Sequence, residues 1–155
     1  MRAKRGFTLV EILIVVVILG ILAAIVIPQF TEASTEAKLS SLCSDLQTVR
    51  SQIELYKVQH NDAFPGVSNV AAGGTHTGGA GFVLAMTGGT NIDGEVDAVL
   101  PYDYGPYLQA IPKNPFNDRT TVELGAGAPG GGDNAWYFNT GTGDFRADDD
   151  AHVAY

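Results

Sequence analysis

The chain has 155 residues, 45% of them hydrophobic, with 17 acidic against 9 basic side chains and a formal charge of −8. That length fits one domain with a modest core, and the acidic balance argues against a nucleic-acid partner, whose phosphates need a basic patch. One cysteine, Cys43, excludes an internal disulfide framework and an all-cysteine zinc site, and His60, His76 and His152 are too scattered for a local metal motif.

The averages hide four zones. Residues 1–6 are a short basic leader with Arg2, Lys4 and Arg5. Residues 7–30 read FTLVEILIVVVILGILAAIVIPQF, and nothing between Ile12 and Ile27 is charged. With its flanks the run reaches the roughly 20 residues that span a ~30 Å hydrocarbon core. Apolar all round, it predicts a helix buried in lipid or in protein, with the basic leader held in the cytoplasm and the bulk of the chain outside it. A cleaved secretory signal would carry a shorter apolar run and a small-x-small cleavage site; here Ile25-Val26-Ile27-Pro28 follows instead.

Residues 31–59 continue the helix in amphipathic form. Leu39, Leu42, Leu46, Val49, Ile53 and Tyr56 recur at steps of three and four, with Asp45, Arg50 and Glu54 off that face. Cys43, beside the stripe, reads as a small buried hydrophobe. Pro28 removes one helical hydrogen bond and Gly20 weakens the same run, so one long helix is expected, bent or loosened between these two residues.

Residues 60–155 are rich in Gly, Pro, Asn and Asp. Gly73-Gly74, Gly78-Gly79, Gly88-Gly89 and Gly130-Gly131-Gly132 read as loops and turns. Ile111–Phe116 reads as an extended or turning connection. Trp136-Tyr137-Phe138 has strong strand propensity, Asn139–Asp144 is turn-like, and Phe145 opens a return strand. The expected fold is α+β: a long N-terminal helix packed on a small antiparallel sheet.

The junction Lys4-Arg5-Gly6-Phe7-Thr8-Leu9-Val10-Glu11 carries the most specific signal. It resembles the class III signal sequence of type IV pilins and type II secretion pseudopilins, whose fold is a helix on a small sheet of this kind. The resemblance implies that a membrane prepilin peptidase cuts between Gly6 and Phe7 and methylates the new amino group of Phe7. It also assigns Glu11 to docking subunits into a filament. Physical reasoning runs alongside: a charge inside a spanning helix costs about 2.5–3.5 kcal/mol on insertion scales and usually marks function. No base lies among Ile12–Ile27, but cleavage creates a cationic amine at Phe7, and a neighbouring copy's amine would neutralise Glu11 in a low-dielectric bundle. Head-to-tail contacts that do not close give a helical filament. Loss of the leader would take the formal charge from −8 to −11.

Two further segments narrow the resemblance. Tyr107–Phe116 is similar to the Leu-Pro, Asn/Asp-Pro, aromatic segment of major pseudopilins, and Trp136–Asn139 with the acidic tail is similar to their last strands. Adhesive type IV pilins often carry a C-terminal cysteine pair that is absent from this sequence. The resemblance therefore implies a pseudopilus subunit whose polymerisation drives export of folded proteins. The alternative is a type IV pilin for adhesion, motility or DNA uptake. Implied partners are further copies of the chain, the peptidase, an inner-membrane assembly platform and minor pseudopilins. The implied location is the inner membrane, then a periplasmic or extracellular filament. No nucleophile or metal set stands at readable spacing, so no enzymatic role is expected. The Gly-rich stretch from Gly66 to Asp97 departs from the family and reads as a flexible insertion. Major pseudopilins often hold Ca²⁺ near the C-terminus; Asp144, Asp148, Asp149 and Asp150 would supply hard oxygen ligands, with carbonyls near Asn139.

Overall fold

A computed structural model describes residues 6–67, 78–97, 103–129, 132–149 and 151–155. Helix α1 covers Leu9–Gln59, 51 residues without interruption through Gly20 and Pro28. The chain divides into two compact units, Met1–Leu39 and Ser40–Tyr155, so the boundary falls inside the stretch read as amphipathic.

The first unit is the early part of α1. Its large apolar side chains from Phe7 to Phe30 are all exposed, from 42% for Val26 to 83% for Phe7. At 1.5 Å per residue, Leu9–Ile27 is about 28 Å long, the thickness of a hydrocarbon core. Among the described helices α1 alone has the length and hydropathy to cross a membrane. Pro28 has no N–H, so the carbonyl of Ala24 receives no helical donor from it. One turn on, the Thr31 hydroxyl donates to the Ile27 carbonyl at 3.2 Å and that of Thr35 to Thr31 at 3.0 Å, a bond pattern that favours gentle bending.

The second unit has its core against the rest of α1. Leu42, Leu46, Val49, Ile53 and Tyr56 are buried, as the helical spacing predicts. They join Phe82, Met86, Trp136, Phe138 and Phe145 in one cluster. Cys43, expected to be buried, is exposed; one residue past Leu42 is a rotation of about 100° away from the buried stripe.

Helix α2 (Gly78–Thr87) and the short antiparallel pair β1 (Gly89–Thr90) and β2 (Val96–Asp97) occupy part of the expected flexible insertion. Glycine propensity disfavours α2, but burial of Phe82, Ala85 and Met86 against the core overrides it. Gly79 has a specific reason to be glycine: a Cβ there would lie 1.8 Å from the Val122 carbonyl oxygen. The helix therefore runs directly over the backbone of β3. Gly66, at φ +76°, is also tight, since a Cβ there would lie 2.7 Å from the Phe82 amide nitrogen.

Strands β3 (Val122–Gly125), β4 (Trp136–Asn139) and β5 (Phe145–Ala147) form one sheet in that order. β4 and β5 are antiparallel across the Asn139–Asp144 turn, as expected. β3 runs parallel to β4, with Val122 beside Trp136 and Gly125 beside Asn139, so the sheet is mixed rather than wholly antiparallel. The cause is the connection: the chain leaves β3 at Gly125 and returns to start β4 beside Val122, which a tight hairpin does not do.

Three polar anchors fix the sheet. Asn114, wholly buried, donates to the Ala135 carbonyl at 2.9 Å and accepts from the Phe116 N–H at 2.9 Å. Trp136 donates its indole N–H to the Pro112 carbonyl at 2.9 Å. Arg50 on α1 donates to the carbonyls of Phe145 at 2.9 Å and Tyr155 at 2.8 Å, tying β5 and the last residues to the helix. At the end of α1, His60 stacks on Tyr56 at 3.8 Å and meets Thr90 Oγ1 at 3.0 Å. Tyr107 donates to Gln59 Oε1 at 2.6 Å, and burial raises its phenol above the usual tyrosine range.

Replacing Gly79 with alanine forces α2 off β3 and is expected to destabilise the second unit by about 2 kcal/mol or more. Gly20→Ala meets no atom within 4 Å and removes a helix-weakening residue. Thermal melts of the purified chain in detergent check the pair; equal melting temperatures for Gly79→Ala and wild type would contradict the close approach.

Candidate assembly site

The chemistry foreseen at the N-terminus falls on a short extended lead and the first turn of α1. Gly6, Phe7 and Thr8 precede the helix and are exposed. A Cβ at Gly6 would meet nothing within 4 Å, and Phe7 is 83% exposed. The Gly6–Phe7 peptide bond thus lies in exposed backbone outside the helix. Arg2, Lys4 and Arg5 lie outside the described residues.

Glu11 stands in the first turn of α1. Its Oε2 accepts from the Thr8 backbone N–H at 2.8 Å and from the Thr8 hydroxyl at 2.7 Å. Thr8 Oγ1 in turn accepts from the Glu11 N–H at 3.3 Å. This is a reciprocal capping box, with Thr8 as N-cap and Glu11 three residues on. It satisfies two of the backbone donors that a helix start leaves open, each of which costs several kcal/mol if bare in hydrocarbon. It also places a carboxylate at the positive end of the helix dipole. Thr8 was not singled out from the sequence, although Thr8-Leu9-Val10-Glu11 spells the T-x-x-E signature directly. The leader motif overlaps the same residues.

Gly20 and Pro28 both lie within α1, which is helical on either side of them. The foreseen carboxylates are spread along β5. Asp144 precedes the strand and is engaged by Thr142 Oγ1 at 2.9 Å and the Arg146 guanidinium at 3.3 Å. Asp148 and Asp149 follow it, and four residues at about 3.3 Å each separate Asp144 from Asp148 by about 13 Å. Asp148 is buried and accepts from the Asn134 N–H at 3.2 Å. Asp149 accepts from Asn114 at 3.3 Å and pairs with His152. Asp148 and Asp149 are chain neighbours whose carboxylates take different partners, Asp144 stands apart from both, and Asp150 lies outside the described residues. Among the described residues no three His, Cys, Asp or Glu side chains converge as a ligand set.

Residues 1–27 match the family described as the prokaryotic N-terminal methylation motif. The chain is 38% identical over 143 residues to the type II secretion system core protein G of Pseudomonas aeruginosa, covering 86% of this chain and 92% of that one. It is 29% identical over 147 residues to the core protein G of Vibrio cholerae, covering 86% of this chain and 88% of the relative. A fimbrial protein of Pseudomonas aeruginosa is 41% identical over 54 residues, 35% of either chain. No solved structure matches significantly. The match to core protein G covers 86% of the chain, far more than the leader and helix together, and the chain belongs to the family of the type II secretion system core protein G, the major pseudopilins.

Proposed function

We propose that the chain is the repeating subunit of a type II secretion pseudopilus, polymerising through α1 so that filament growth drives folded proteins out of the cell. One observation carries this reading. From Leu9 to Ile27 α1 is apolar on every side, its large apolar side chains are exposed, and it bears one carboxylate, Glu11. Lipid covers such a surface before assembly, and the same surface on neighbouring copies covers it afterwards.

In this reading the prepilin peptidase cuts after Gly6 and methylates Phe7. The subunit waits in the inner membrane with its head outside the cytoplasm, as the basic leader favours. Glu11 then pairs with the Phe7 amine of a copy already in the filament. That match of charges, made in a low dielectric, gives each arriving subunit its axial register. The assembly platform and minor pseudopilins are the remaining partners, and the role is structural rather than enzymatic. An adhesive or motile pilus is disfavoured by the lone Cys43 on α1, which leaves no cysteine pair for a C-terminal loop.

Mass spectrometry of the mature protein is expected to find Phe7 at the N-terminus with one added methyl, and Glu11→Ala is expected to insert but to yield few or no filaments. An intact Met1 in filaments, or normal filament yield from Glu11→Ala, would remove this mechanism.

The Gly20–Pro28 stretch belongs to the same proposal as the place where α1 adjusts on leaving lipid, because the Ala24 carbonyl already lacks its donor. Pro28→Ala is expected to stiffen the stretch and to reduce filament yield; filaments of wild-type yield with unchanged helix order there would rule this out.

Calcium is carried on donor chemistry. Among the described residues no three acids converge, so a calcium ion near the C-terminus would take Asp148 or Asp149 with backbone carbonyls rather than all four carboxylates at once. A melting temperature several degrees higher in calcium than in chelator is expected, and identical melts in the two would argue against a structural ion.

A further inference from the structure

We propose that Thr8 is a positioning residue for the assembly carboxylate, a role that rests on the reading of Glu11 given above. A glutamate in an apolar helix has three free torsions and a polar edge within reach, so left alone it snorkels away from the bundle axis. Thr8 removes that freedom. Its N–H and its hydroxyl both grip Oε2, at 2.8 and 2.7 Å. Among the described residues no hydrogen bond reaches Oε1, which leaves that oxygen to receive the neighbour's amine. Fixing the side chain beforehand lowers the ordering cost at the moment of docking.

The hydroxyl is chemically particular. One oxygen donates to the carboxylate and accepts from the Glu11 N–H at 3.3 Å at the same time. An aspartate cap would set a second anion beside Glu11. An asparagine cap accepts from the helix N–H through its carbonyl, and that atom has no proton to give to Oε2. Threonine also adds only one polar atom to a membrane segment, and its branched Cβ narrows the choice of rotamer. Thr8 therefore serves both helix and site: it closes the first turn, and it aims the carboxylate.

The test compares three variants of the full chain, expressed with its secretion machinery and read by filament yield. Thr8→Ser keeps the cap and the hydroxyl. Thr8→Asn keeps a cap at least as strong and loses the hydroxyl. Thr8→Val keeps the shape and loses both. The serine variant is expected to assemble like wild type, whereas the asparagine and valine variants fall by about fivefold, the scale of one capping interaction. All three are expected to be cut after Gly6 and methylated at Phe7. Wild-type yield from Thr8→Asn would reduce Thr8 to a helix cap, and wild-type yield from Thr8→Val would remove it altogether. Failure of cleavage in Thr8→Val would place the residue in peptidase recognition instead. Glu11→Ala in the same assay keeps the two ideas apart, since normal assembly there sinks the Glu11 mechanism itself, whatever the Thr8 variants do.

Discussion

A carboxylate has to live inside a helix that offers it nothing but hydrocarbon. From Ile12 to Ile27 α1 carries no charge, so Glu11 takes its stabilisation from Thr8, from the helix dipole and, in the proposed filament, from another subunit's amine. Each source suits a different stage. The capping box and the dipole act within one chain and make the carboxylate tolerable in lipid. The amine exists only after the leader has gone, so assembly through it is closed to an unprocessed chain. The Thr8–Glu11 capping box needs only one chain and forms with the leader in place, whereas the proposed amine pairing needs both cleavage and a second copy.

The head answers a different demand. It is small, so it cannot rely on a deep core, and it ties its sheet down with a few polar bonds, of which that from Asn114 to Ala135 is fully buried. Asn114 and Trp136 fasten the Ile111–Phe116 segment to β4, while Arg50 fastens β5 and the C-terminal residues to α1. Loss of one partner from such a buried pair leaves the other bare, which costs more than the bond itself contributes. The half of α1 that serves the head is amphipathic for this reason, and the half that serves the proposed filament is uniformly apolar.

Where the sequence pattern had a short period and one controlling force, it was legible. The Leu42–Tyr56 stripe, the continuous helix and the β4–turn–β5 hairpin all follow from spacing and turn chemistry, and the leader motif fits the family match over residues 1–27. Long-range packing was not legible. Helix α2 forms against glycine propensity because Phe82 and Met86 reach a core assembled from distant residues. The parallel pairing of β3 depends on the path of a connection, although Thr120-Thr121-Val122 offered a β-branched strand signal. The acidic residues looked like one cluster because they are close in sequence, but extended backbone carries Asp144 away from Asp148. Thr8 was legible and overlooked.

The closeness of α2 to β3 bears on how variation in this chain is to be interpreted. A stretch crowded with glycines ordinarily signals a loop that accepts substitution and length change. Here Gly79 and Gly66 mark contacts where backbone meets backbone with no room for a methyl group. A natural variant or an epitope tag placed there by the usual rule for loops would strike the most crowded part of the head. At Gly127 an added Cβ meets nothing within 4 Å, so a substitution there has room, while its carbonyl stays bonded to Tyr137 and Asn139.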